Sequence, residues 1–358
     1  MGCCHSENSS LIQGNFPLKM KEALDVSSTT RIATMIEYYH KKEPRADPPY
    51  IDREVVVINN MPLNGLGYCL LLGKTAMFKF LYELGASIKA MEQILMKSSL
   101  KGINLICFKG HKDLLEFYLP IYLKDYISIP QSVKSYTIDL KDCPNIRPEF
   151  DLPIHSACRA GMINIVSYLH KYFKDKPYCP KEFDILALDE FNGEDCPLIS
   201  CRSGCYMLIK YFHESCQIKF TQMNFHKENA VMICVSGYNK NPNFTYIESV
   251  QYLVNIVGVD ITYKYEELLC MVEGKEMIQF FEESLEKRGI TMKKKDMESG
   301  ANRLKVIVDT AESSNGQIFS EENKILYEPE KRSFLSTISQ VEHPADRPPS
   351  DFFSHKFE

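Results

Sequence analysis

The sequence predicts an all-α fold built as a solenoid of paired short helices, and three observations predict it. A cysteine followed three or four positions later by glycine recurs six times, as Cys69…Gly73, Cys107…Gly110, Cys158…Gly161, Cys201…Gly204, Cys234…Gly237 and Cys270…Gly274. Positions +7, +8 and +11 from the cysteine are apolar in five of the six units. The glycines recur at spacings of 37, 51, 43, 33 and 37 residues, a looser recurrence than the about 33 residues of an ideal array, which reads as a diverged array with loop insertions.

The apolar triplets are Ala76, Met77, Phe80; Leu114, Leu115, Tyr118; Ile165, Val166, Leu169; Leu208, Ile209, Phe212; and Met277, Ile278, Phe281. Offsets of one and of three or four place each triplet on one helix face. The glycine before it can end a preceding helix in the left-handed conformation. Each unit therefore reads as helix, turn and amphipathic helix, which cannot bury its apolar face unless it stacks on neighbours. Cysteine suits the first helix because it is small and apolar and lets backbones approach. The unit at Cys234 recovers the pattern, at Val250, Leu253 and Val254, only after the insertion Tyr238 to Tyr246. Its Asn, Pro and Lys content predicts a surface loop that leaves the stack. Insertions in repeat arrays often lie on the binding face, and aromatics dominate binding energy, so Tyr238, Phe244 and Tyr246 are candidate partner contacts.

Outside the array, Thr30 to Lys42 places Ile32, Met35, Ile36 and Tyr39 on one face, so residues 18–59 read as atypical capping helices. The array itself occupies residues 60–290 in about six units. Residues 291–358 are polar and carry Pro344, Pro348 and Pro349, which predicts a mostly flexible tail. Its exceptions are a candidate short strand at Leu304 to Val308 and candidate docking aromatics at Phe334 and Phe352-Phe353.

The array has a family resemblance. Pro153-Ile154-His155-Ser156-Ala157-Cys158-Arg159-Ala160-Gly161, continuing to Ile165-Val166-Ser167-Tyr168-Leu169, resembles the ankyrin repeat. Asp184-Ile185-Leu186-Ala187-Leu188-Asp189 with Asn192-Gly193 and Pro197-Leu198 resembles the hairpin that links one ankyrin repeat to the next. Tyr82 to Ile88 and Val257 to Ile261 match the end of a repeat. The resemblance covers about residues 60–290 and implies an ankyrin-type solenoid that binds other proteins. His155 has no counterpart in the other units.

The chain opens Met1-Gly2-Cys3-Cys4-His5-Ser6, the pattern of N-myristoylation at Gly2. One myristoyl chain binds membranes with an affinity of only about 10⁴ M⁻¹, and Cys3 and Cys4 are placed to supply the second signal as palmitoyl thioesters. Residues 1–17 are thus expected to be a flexible lipidated leader.

Composition excludes other classes. A net charge of -5 over 358 residues gives no electrostatic case for nucleic acid. No apolar run approaches a transmembrane length, and residues 2–20 lack the apolar core of a secretory signal. Thirteen cysteines are then expected as reduced thiols on the cytosolic side. Cys201 and Cys205 with Cys196 and His213 lack the paired spacing of a zinc site. Gly65-Leu66-Gly67 lacks the third glycine of a dinucleotide loop. His155 beside Cys158 is better explained as a repeat-turn histidine than as half of a nucleophile pair. The expectation is a non-catalytic scaffold or adaptor, with no cofactor, metal or small-molecule substrate, anchored to the cytosolic face of a membrane and binding a protein partner. The alternatives are a soluble ankyrin-repeat regulator without the lipid anchor, and an enzyme subunit with a site hidden in the insertions.

Overall fold

The computed structural model describes residues 15–124 and 151–290. Gly2, Cys3 and Cys4 lie outside the described residues, as do Leu304 to Val308, Phe334, Phe352-Phe353 and the rest of the 291–358 tail. The described residues are mostly helical, with fifteen α-helices and one two-stranded sheet.

The first two elements among the described residues are α1 (Phe16–Asp25) and α2 (Thr29–Lys42). Ser28 caps α2 by accepting from the Arg31 amide. As expected for a capping helix, α2 buries Ile32, Met35 and Tyr39, and Ile36 is half-buried. The 18–59 segment is not helical throughout. Strand β1 (Glu54–Ile58) pairs antiparallel with β2 (Met61–Asn64). The valine-isoleucine run supplies β-branched side chains, and Asn59 and Asn60 take φ of 49° and 62°. Two left-handed residues make the two-residue turn whose twist suits a hairpin, and asparagine tolerates that conformation.

Six helix pairs follow. They are α3 (Gly65–Leu71) with α4 (Thr75–Glu83), α6 (Gly102–Lys109) with α7 (Lys112–Tyr122), and α8 (Pro153–Arg159) with α9 (Ile163–Lys174). Then come α10 (Cys196–Arg202) with α11 (Tyr206–Glu214), α12 (Ala230–Lys240) with α13 (Phe244–Tyr252), and α14 (Tyr265–Met271) with α15 (Lys275–Glu286). First helices pack on first helices, α3 on α6, α6 on α8, α8 on α10, α10 on α12 and α12 on α14. Second helices contact along a parallel row, α7 with α9, α9 with α11 and α11 with α13. This explains the cysteines: Cys69, Cys107, Cys158, Cys201 and Cys234 are fully buried between first helices, where a larger side chain would push the backbones apart.

The glycine, rather than the cysteine, is the ruler. Gly73, Gly110, Gly161 and Gly204 are left-handed. The residue after each donates its amide back five positions, Lys74 to Cys69, His111 to Ile106, Met162 to Ala157 and Cys205 to Ser200, which closes the first helix with a Schellman cap. Counted from these glycines, the buried positions are +4, +5 and +8 in all four pairs. They are Met77, Phe78, Leu81; Leu114, Leu115, Tyr118; Ile165, Val166, Leu169; and Leu208, Ile209, Phe212. In the first pair the cysteine is one residue further from its glycine, so Ala76 is exposed and Phe80 half-buried, correcting the triplet read from the sequence. Each of these buried side chains contributes about 1.5–3 kcal/mol relative to exposure.

An extra helix, α5 (Ile88–Met96), stands between the first two pairs. Helix α6 has no side-chain cap of its own. Glu92 of α5 supplies one, accepting from the Gly102 amide at 3.1 and 3.0 Å and from the Tyr118 hydroxyl. Three other first helices, α3, α10 and α12, carry their own side-chain caps, Asn64, Asp195 and Asn229, while α8 and α14 have none.

On the outer row, His170 Nδ1 lies 3.0 Å from the Tyr211 hydroxyl and His213 Nδ1 lies 3.0 Å from the Tyr252 hydroxyl. Each histidine stands twelve residues past its repeat cysteine and clasps the second helix of the next pair.

Candidate protein-docking surface

The sequence-predicted contacts Tyr238, Phe244 and Tyr246 do not come together as an exposed patch. Helix α12 continues through Gly237 to Lys240, and α13 starts at Phe244, so the expected loop is reduced to residues 241–243. Asn243 starts the new helix by accepting from the Thr245 amide, so the polar residues cap a helix instead of leaving the stack. Tyr246 is only 4% exposed, and its hydroxyl donates to the Arg202 carbonyl at 2.9 Å. Tyr238 is half-buried, with its ring 6.3 Å from that of Tyr246. Phe244 alone of the three is exposed, at 66%.

Five exposed apolar side chains lie elsewhere, on two connectors between pairs. Connector A (residues 184–195) precedes α10, and connector B (residues 220–229) precedes α12. Leu186, Leu188 and Phe191 of A and Met223 and Phe225 of B are between 37% and 62% exposed. The two connectors lie side by side. The Phe225 amide donates to the Asn192 carbonyl at 2.7 Å, and the Phe225 ring covers Gly193 so closely that no Cβ would fit there.

Each connector is a braced turn. In A, the Asp189 amide donates to the Glu194 carbonyl at 2.9 Å, and the Asp189 carboxylate accepts from the Phe191 and Asn192 amides. In B, Asn224 Oδ1 accepts from the His226 and Glu228 amides. These side-chain bonds fix the tips from which the apolar groups project.

Beneath the tips runs a charged network. Arg202, at the end of α10, clasps the fully buried Glu194 carboxylate, its Nε 2.9 Å from both oxygens, and reaches Glu228 at 3.6 Å. Arg159, at the equivalent end of α8, pairs with Asp151 at 3.1 Å and Asp189 at 3.8 Å. His155 is fully buried and its Nε2 donates to the Ala187 carbonyl at 2.9 Å, tying α8 to connector A. Burial holds its imidazole below the usual histidine range. Burial also pushes the Asp195 carboxyl up to about 6, although it accepts the Leu198 amide as the cap of α10. The outcome is a rigid base under an apolar tip.

Sequence inspection missed the tip residues although a signal was present. In Ile185 to Asp189 the residues alternate, with Ala187 and Asp189 buried and Leu186 and Leu188 exposed. Leu186 and Leu188 are apolar yet exposed on a segment that turns at Ile185-Leu186, where the Ala187 amide donates to the Asp184 carbonyl at 3.1 Å.

The chemistry available elsewhere is limited. Cys216 Sγ lies 3.4 Å from His170 Nδ1, but burial raises the thiol pKa, so the group is a neutral thiol and not an activated nucleophile. Among the described residues no cluster of three or more His, Cys, Asp or Glu side chains is arranged to hold a metal ion, and no helix is long and apolar enough to cross a membrane. Compared with known proteins, the chain matches no family model and no curated protein, so the functional reading rests on the connectors and the stack beneath them.

Proposed function

We propose that this chain is a non-catalytic adaptor, an ankyrin-type array of stacked helix pairs that binds a protein partner through the tips of connectors A and B. The observation that carries the reading is the convergence of Leu186, Leu188, Phe191, Met223 and Phe225 on two adjacent, hydrogen-bonded turns. Exposed apolar groups gathered on one patch mark interaction sites, and aromatic anchors supply most of the energy of such contacts. The cap-and-ruler geometry of the first four pairs supports the repeat reading, because the same glycine sets the same buried positions each time.

The proposal includes an N-terminal anchor, Gly2 myristoylated and Cys3 and Cys4 palmitoylated, which would hold the array on the cytosolic face of a membrane. Two measurements test the two halves separately. Phe191→Ser with Phe225→Ser should leave the helical content unchanged and remove a partner recovered with the wild-type chain. Recovery of the same partners by both proteins would overturn the tip reading. Gly2→Ala should move the chain from the membrane fraction to the soluble fraction, and retention in the membrane fraction would overturn the anchor.

A further inference from the structure

The two connectors differ in charge. Connector A contains Asp184, Asp189, Glu190, Glu194 and Asp195 and no lysine or arginine. Asp189, Glu194 and Asp195 are buried, which leaves Glu190 exposed and Asp184 half-buried at the tip. Glu190 has one cation near it, Lys181 at 3.8 Å, and both side chains of that pair are about 60% exposed, so the pair exchanges readily with another partner. Connector B presents His226 and Lys227, both exposed and with no ion pair among the described residues. Its one acid, Glu228, is engaged by Arg202 and Asn224. Lys227 adopts a left-handed φ of 57°, within the turn that Asn224 closes.

An acidic tip therefore lies beside a basic tip, and both connectors carry exposed apolar groups. That arrangement is complementary to itself. A two-fold axis through the patch sets connector A of one copy against connector B of the other, twice, with the Phe225 rings in the centre. We propose that the docking partner of this surface is a second copy of this chain, with Glu190 and Asp184 of one copy facing Lys227 and His226 of the other. A partner of another kind would have to supply the acidic, basic and apolar groups that the chain already carries. The inference rests on the reading of the connector tips as a protein-docking surface.

The test is sedimentation of the purified full chain over roughly 1–200 µM, the range in which a small transient interface is populated. The wild type should shift from monomer toward dimer as concentration rises. Lys227→Glu alone and Glu190→Lys alone should each weaken self-association about tenfold or more, because like charges then meet twice in every dimer. Mixed in equal amounts, the two variants should dimerise with each other, because each of the two contacts then joins opposite charges. A wild type that stays monomeric overturns the inference, as does a dimer indifferent to both substitutions or a mixture that fails to recover. Phe225→Ser separates this inference from the reading beneath it. If the wild type is monomeric and Phe225→Ser still loses a partner of another sequence, the homotypic inference falls and the docking surface stands. If the wild type is monomeric and Phe225→Ser changes no association, both fall.

Discussion

The pair α8–α9 and the pair α12–α13 begin from the same sequence cue and use its glycine in opposite ways. In the first, Gly161 sits at φ of 71°, ends α8 and lets α9 fold back at once. In the second, Gly237 stays helical, and α12 runs on to Lys240 before the chain turns. What differs is the neighbour. The nearest atom to a Cβ on Gly161 would be Cys205 Sγ at 3.1 Å, a side chain able to move. A Cβ on Gly237 would overlap the Arg202 carbonyl oxygen and stand 2.6 Å from the Tyr246 ring. One glycine supplies a backbone angle and the other supplies absent volume. A repeat position can thus keep its residue while the physical reason for that residue changes.

Gly237→Ala should be the most damaging single change in this comparison. The methyl group meets a carbonyl fixed in α10, so α12 must move away from α10, at a cost of about 3 kcal/mol or more. Chemical denaturation should show a large fall in midpoint, and an unchanged midpoint would mean that α12 and α10 are not this close. Gly161→Ala should cost less, about 1–2 kcal/mol, mainly from the left-handed backbone. Gly161→Asn should recover part of that loss, since asparagine tolerates the conformation. Equal losses for Ala and Asn at this position would point to crowding instead of backbone strain. Tyr246→Phe should be smaller still, about 1 kcal/mol, for the lost hydrogen bond to Arg202.

Acidification distinguishes the two pairs in another way. His155 belongs to α8, and the pair α12–α13 contains no histidine. Its folded-state pKa lies below the usual value of 6.5, so the unfolded chain takes up the proton first as pH falls. Stability should therefore decline from just above pH 6.5 downward, until the folded state also takes up the proton. The buried imidazole faces Asp151, Arg159 and Asp189, and an added proton would have to be accommodated among them. His155→Gln should flatten that part of the stability profile, measured as denaturation midpoint against pH. A slope unaltered by the substitution would assign the acid sensitivity to another group.

Much of the helical stack was legible because its cues are local. Cys158, Gly161 and the triplet Ile165, Val166, Leu169 lie within one pair, and a helix period plus a turn glycine describes them without knowledge of the rest of the chain. The β-hairpin was not expected although its signal is equally local, the run Val55 to Ile58 followed by Asn59-Asn60. The burial of Tyr246 was not legible for a different reason. Tyr246 and Phe225 look alike in sequence, each an aromatic residue in a polar stretch. Tyr246 is covered because Arg202, forty-four residues earlier, offers a carbonyl and a cleft beside Gly204 and Gly237. Phe225 is exposed because connector A offers it only the bare backbone of Gly193.

The sequence by itself determined the helix pairs, the turn that closes each of the first four, and the buried stripe on the second helices α7, α9 and α11. Those properties follow from side-chain period and backbone conformation over about a dozen residues. Only the tertiary structure decided which aromatics are buried, which glycine has no room for a methyl group, that Glu92 caps a helix ten residues away, and that an acidic and a basic connector lie side by side. Each of these depends on the distance between segments far apart in the chain, which the stacking of one pair on the next sets.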